Sequence, residues 1–298
     1  MTTIEPIVKT RDLVGESPFW HSETDTLYWV DIVGKKLRAM ASDGSVETWE
    51  TEDVPTAIAM VQNSDDAVVS FGKGLARFEF SSGKVTPICA PEGDDPTMRL
   101  NEGKCDPQGR FWAASMDNNL NPDGSTREQG TPRGRLLRLN ADGSYQSFGE
   151  ADLMIPNTMA WSPNRTTFYF GDTLRNTIWA YDYDDTRGAV SNRRVLIEGG
   201  PGLPDGSGID SDGCLWNARF GAGKVLRITP DGRIDRMVDL PCSNPTACSF
   251  GGPDRKTLIV TSGSFGLPQK QLKENPLEGG VFALSVDVSG QSDNQYRG

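Results

Sequence analysis

Four side chains with oxygen donors share one position of a recurring pattern. Glu16, Asn101, Asn157 and Asp205 each stand five residues ahead of a tight turn, the turns beginning at His21, Asp106, Ser162 and Asp210. Two carboxylates and two carboxamides, with no imidazole or thiolate among them, suit a hard divalent cation such as Ca²⁺, Mg²⁺ or Mn²⁺, and one such ion balances the two negative charges. Without an ion the two carboxylates would repel each other and raise the proton affinity of one of them. Asp, Asn and Glu are also ordinary turn residues, so each position alone says little. Their coincidence in one register carries the argument. At the comparable place two further copies of the pattern offer the apolar Ala57 or Ile58 and, less securely aligned, Asn244.

The rest of the composition narrows the chemistry. His21 is the only histidine, which excludes Ser-His-Asp, Cys-His and His-rich metal chemistry. The five cysteines form no C-x-x-C pair and fit small apolar residues of a reducing compartment. A net charge of -11 argues against nucleic acid and against an anionic membrane, since both need clustered Lys and Arg. The segment MTTIEPIVKTRDLVGES lacks the charged start and apolar core of a secretory signal, and no run of 18 apolar residues occurs, so a cytoplasmic protein is expected.

What must hold the four donors together is a repeat. Apolar triplets recur as LYWV, AVVS, RFWAA, TFYFG, CLWNA and TLIVT; with Tyr28, Val68, Trp112, Tyr169, Trp216 and Ile259 as markers the spacings are 40, 44, 57, 47 and 43 residues. Most copies continue into a second strand and a D-G or S-G hairpin, and each follows a strand of smaller residues. Three to four strands in about 45 residues describe a β-propeller blade. The expected fold is all-β, a six-bladed β-propeller in one domain, 1–298, with IEPIVKT and VFALSVDV completing a blade between them so that the ring has no free edge. The innermost strands would surround a central channel, where their equivalent positions converge. The 57-residue spacing places an excess at residues 116–135, expected to form a flap over one mouth.

The stretches GESPFW, RLNEGKCDPQGRFW, PNTMAWSPN, LPDGSGIDSDGCLW and PLEGGVF resemble the senescence-marker-protein-30, gluconolactonase and regucalcin family across nearly the whole chain. The resemblance implies a six-bladed propeller that binds one divalent cation in its channel and hydrolyses lactones of sugar acids. It implies Glu16, Asn157 and Asp205 as metal ligands, Asn101 close to metal and substrate, and Arg99 in contact with substrate. Residues i and i+2 of a strand share a face, so Arg99 would point along the channel beside Asn101. Which cation is bound, Ca²⁺, Zn²⁺, Mn²⁺, Mg²⁺ or Fe²⁺, stays open, because availability overrides affinity. The sequence departs from the animal members, which carry a substrate-contacting glutamate where Asn119 stands here. That change makes the pocket less hostile to an anionic substrate, with Arg127, Arg133 and Arg135 of the flap as possible sources of positive charge.

The expected reaction is hydrolysis of a small-molecule sugar lactone by a monomer or small homo-oligomer. The cation would polarise the carbonyl, Arg99 and Asn101 would orient the ring, and Asp205 would accept the water proton. Activation of the water by the cation itself is the alternative, since coordination weakens Asp205 as a base. An acidic or sulfonated sugar lactone such as 6-deoxy-6-sulfogluconolactone is one candidate substrate. Two other readings compete: a phosphotriester or fluorophosphate hydrolase, whose neutral substrates would leave Arg99 without a task, and a calcium-binding propeller without catalysis.

Overall fold

The computed structural model describes Ile4 and residues 6–298. Six four-stranded antiparallel sheets follow one another along the chain as blades 1 to 6. Their innermost strands are Gly15–His21, Pro55–Met60, Met98–Cys105, Pro156–Trp161, Leu203–Ile209 and Pro245–Gly251. Each innermost strand packs against those of both neighbouring blades, and Pro245–Gly251 packs on Gly15–His21, closing the ring. In blade 6 the outermost strand is the N-terminal Pro6–Val8, paired with Val281–Ser285. The two ends of the chain therefore complete one sheet, as their composition implied.

Burial explains the order of strands within a blade. Innermost strands and their neighbours are buried nearly throughout, whereas the fourth strands, such as Val46–Glu50 and Lys84–Cys89, are largely exposed. Apolar side chains of adjacent blades meet face to face, so the core is a set of interblade layers and not one central cluster. Removing this surface from water supplies most of the driving force for closing the ring.

The repeated turn residues act as pins. Asp106 accepts backbone N–H bonds from Gln108 and Arg110, and its Oδ2 accepts from Trp112 Nε1 at 2.9 Å and Arg110 Nε at 2.7 Å. Asp210 repeats the arrangement with Asp212, Cys214, Trp216 and Arg227. Each carboxylate thus closes its own turn and locks the neighbouring strands at the lower end of a blade.

Candidate metal centre

Every innermost strand is interrupted in its first half by a register shift. The shifts fall between Glu16 and Phe19, Pro55 and Ala57, Leu100 and Glu102, Asn157 and Met159, Pro204 and Ser207, and Pro245 and Cys248. A β-bulge re-aims the side chains around it. At this upper end Glu16, Asn101, Asn157 and Asp205 come to the same level, all four buried. Backbone strain marks the place: Ser17 and Thr158, directly after Glu16 and Asn157, have φ of 51° and 49°. Their hydroxyls reach sideways, Ser17 Oγ accepting from Ile58 N and Thr158 Oγ1 lying 2.8 Å from Ser207 Oγ, so each strained residue ties its strand to the next blade. After Asp205 the chain needs Gly206, because a Cβ there would lie 2.5 Å from that of Ala247.

The same pairings correct the alignment of the two remaining blades. Pro55 and Pro245 stand level with Pro156 and Pro204, so the site register holds Thr56 and Thr246, not Ala57, Ile58 or Asn244. Neither hydroxyl is free for a ligand. Thr56 donates to Ser70, and Thr246 Oγ1 bonds to the Gly15 carbonyl and lies 2.9 Å from Thr261 Oγ1.

The two carboxyls at this level act on each other's protonation, and both have raised proton affinity, chiefly through burial. For Glu16 the charge of Asp205 adds to the effect; for Asp205 the charge of Glu102 does. Glu102 is a member of the site that was not anticipated. Burial pushes its carboxyl up to about 7, and it faces the same cavity as Glu16. It sits one step past the site register, level with Ser17, Thr158 and Gly206, where the other blades carry no charged residue. Repeating the alignment one position later would have found it.

The carboxamides are held by what surrounds them. Asn157 Nδ2 donates to Thr173 Oγ1 at 2.8 Å, and its Oδ1 accepts from Asn101 Nδ2 at 3.4 Å. Asn101 Nδ2 donates to the Pro156 carbonyl at 2.8 Å, and its Oδ1 accepts from Arg99 Nη1 at 2.6 Å, so Asn101 links Arg99 to the hub. Arg99 is 6% exposed and donates only to neutral oxygens, those of Leu100, Asn101 and Asn119. Burial lowers its pKa to about 10, which leaves it charged near neutrality.

The donor set fits a divalent cation. Among the described residues none of Glu16, Glu102 and Asp205 forms an ion pair, although all are buried, and buried carboxylates without a counter-charge are costly. No cluster of three His, Cys, Asp or Glu side chains with ligating geometry occurs among the described residues. An ion at this level would have to draw on carboxamide oxygen beside the carboxylates of Glu16 and Asp205.

The long connection after Phe111–Asp117 is pinned, not loose. Gly130 N and Arg133 Nε donate to Asp117, Gln129 Nε2 to the Met154 carbonyl, and Asn119 Oδ1 accepts from Arg99 Nη2 at 2.9 Å. Asn119 thus reaches the site as expected. Arg133 does not, because its guanidinium is spent on Asp117 and Asp95. Arg135 is exposed, and Arg127 meets Asn119 only through its backbone N–H. His21 lies at the opposite end of the channel, between Thr24 and Gln295.

The model of the SMP-30/gluconolactonase/LRE-like region matches residues 14–264. The chain belongs to this family. It is 35% identical over 287 residues to regucalcin of Gallus gallus, covering 95% of this chain and 94% of that one. To the 6-deoxy-6-sulfogluconolactonase of Pseudomonas putida it is 32% identical over 302 residues, covering 99% of each. A crystal structure of a calcium-binding protein, regucalcin, from Agrobacterium tumefaciens superposes with a TM-score of 0.90 at 29% identity, over 98% of this chain and 96% of that one. These similarities extend over nearly the whole of each chain.

Proposed function

We propose that this protein hydrolyses the lactone ring of a sugar acid at a single divalent cation held by Glu16, Asn157 and Asp205. The observation that carries the reading is charge placed without a bonded partner: Glu16 and Asp205 are buried without an ion pair, and the buried Arg99 donates only to neutral oxygens. A bound divalent cation would supply Lewis acidity to the lactone carbonyl. The chain's own residues do the rest. Arg99, braced by Asn101 and Asn119, orients the ring through its hydroxyls or an acidic substituent. Asp205 receives the proton of the attacking water. Coordination would weaken it as a base, and the charge of Glu102 opposes that loss by raising its proton affinity.

Asn119 carries no charge, so no group bonded to Arg99 neutralises its field, and Asp53 acts on it only from a distance. This favours an anionic sugar lactone, and the relative that acts on a sulfonated gluconolactone supports the same preference. We place the protein in the cytoplasm as a single 1–298 domain, monomeric or a small homo-oligomer. The calcium-binding regucalcin of Agrobacterium supports a second reading, in which the ion is bound without turnover. A proton-release assay separates the two. Gluconolactone, arabinolactone, a 6-sulfonated gluconolactone and a neutral phosphotriester are compared with Ca²⁺, Zn²⁺, Mn²⁺, Mg²⁺ or Fe²⁺ present. Fastest turnover of the sulfonated lactone is expected; ion binding with no lactone opened would overturn the enzymatic reading.

A further inference from the structure

The channel has a second mouth, and the chain's own C-terminal residues lie across it. Residues 289–297 span the ends of the innermost strands remote from Glu16 and Asp205. Gln291 N donates to the Ile209 carbonyl of blade 5, Tyr296 N to the Met60 carbonyl of blade 2, and Arg297 N to the Gly109 carbonyl of blade 3. At the middle of this strap Asp293 reaches the channel, where its Oδ2 accepts from Trp20 N at 3.1 Å and from Ser249 Oγ at 2.5 Å. Its Oδ1 lies 3.2 Å from Lys104 Nζ, and its side chain is only 6% exposed.

Lys104 joins the strap to the hub. It stands two residues beyond Glu102 on the same face of the strand and shares with Glu16, Glu102 and Asp293 a cavity of about 20 Å³ in which it is the sole cationic side chain. Its charge already acts on Glu102. A lysine on a flexible four-carbon stem moves readily to a better counter-charge, and three unpaired carboxylates stand above it. An ammonium drawn up among them would repel a second cation.

We propose that Asp293 is a positioning residue for the cation site: it holds the Lys104 ammonium down at the strap and so leaves Glu16, Glu102 and Asp205 open to a divalent ion. The proposal rests on the reading of the hub given above. It makes the C-terminal strap part of the metal site, although none of its residues touches the ion.

Isothermal titration of the metal-free full chain with Ca²⁺ and with Mn²⁺ tests this in wild type, Asp293→Asn, Lys104→Met and the double variant. Asp293→Asn should weaken binding about tenfold, the effect of a unit charge brought several ångströms nearer at partial screening. Lys104→Met should bind at least as tightly as wild type, and the double variant should match Lys104→Met and not Asp293→Asn. A double variant as weak as Asp293→Asn would overturn the proposal, because the loss would then come from an opened strap. So would an Asp293→Asn variant within twofold of wild type. Should Asp293→Asn fail to fold, Lys104→Met still decides, since weaker binding there overturns the idea. Wild type binding neither ion would instead remove the hub reading, a distinct result.

Discussion

The two ends of the channel are built from the same six strands and are equally buried, yet they treat charge in opposite ways. At the strap end Asp106, Asp210 and Asp293 are each bonded to an Arg or Lys, and the first two also to a tryptophan indole. At the hub end, five residues earlier on the same strands, Glu16 and Asp205 have no cationic contact, and Arg99 has no anionic one. The chain evidently can pair its charges when pairing serves the fold. Unpaired buried charge costs stability, and natural sequences depart from full satisfaction mainly where a ligand completes the set. The strap end thus satisfies its own charges, and the hub end leaves its charges to the ligand proposed above.

Substitution of one aspartate at each end tests that contrast most severely. Asp205→Ala should lower lactone turnover by about 10³-fold or more, since it removes both a ligand and the proposed base, while relief of its repulsion with Glu16 leaves the melting temperature of the metal-free protein unchanged or higher. Asp210→Ala should do the reverse. It leaves the Trp216 indole N–H and the backbone N–H groups of Asp212 and Cys214 without their acceptor, at about 1–3 kcal/mol for each donor left buried, while Arg227 keeps Asp212 and Asp235 as partners, and activity per folded molecule is retained. Proton-release rates and calorimetric melts of both variants check the pair. Equal activity losses at the two positions would erase the distinction.

Much of this was legible beforehand, for physical reasons. The blade count followed from hairpin chemistry and strand period, because both are local properties. The shared level of Glu16, Asn101, Asn157 and Asp205 followed because closure of a ring brings equivalent positions together. What escaped reading was nonlocal or irregular. The bulge that sets Thr56 and Thr246 level with Asp205 has no residue signature of its own. Glu102 was hidden one step beyond the register that was aligned. Arg133 looked available until its contact with Asp117 was seen, and the strap at 289–297 has the composition of a polar tail, because its partners all lie far away in the sequence.

Supplying the missing counter-charge should stabilise the hub end only. An ion at a hundred times its dissociation constant adds about 2.7 kcal/mol, a rise of roughly 4 °C in melting temperature for a chain of this size. The metal-free protein should also carry a pH signature. The folded carboxyl of Glu102 titrates near about 7, above its unfolded value of 4.5, so the folded state binds more protons between those values. Its contribution is fully present below about pH 4.5 and is lost as pH rises through 7, on the order of 3 kcal/mol. Glu102→Gln should flatten this slope in melts run with chelator from pH 5 to 8, and a slope unchanged by the substitution would remove Glu102 as its source.

The smallest expected effect is the most informative about substrate. Asn119 touches Arg99 through an amide oxygen, and Asn119→Glu would place a carboxylate at that contact, pairing the guanidinium as the strap end pairs its own charges. A paired Arg99 offers little field to an anion but can still donate hydrogen bonds to a hydroxyl. For a sulfonated lactone the KM should rise about tenfold, whereas for neutral gluconolactone it should change less than threefold, with kcat held in both cases because the ion and Asp205 are untouched. Raising salt should weaken binding of the anionic substrate in wild type more than in the variant, since a long-range field is screened and a hydrogen bond is not. Equal shifts for the two lactones would mean that Arg99 recognises ring hydroxyls alone, and that its missing counter-charge is no guide to what the pocket accepts.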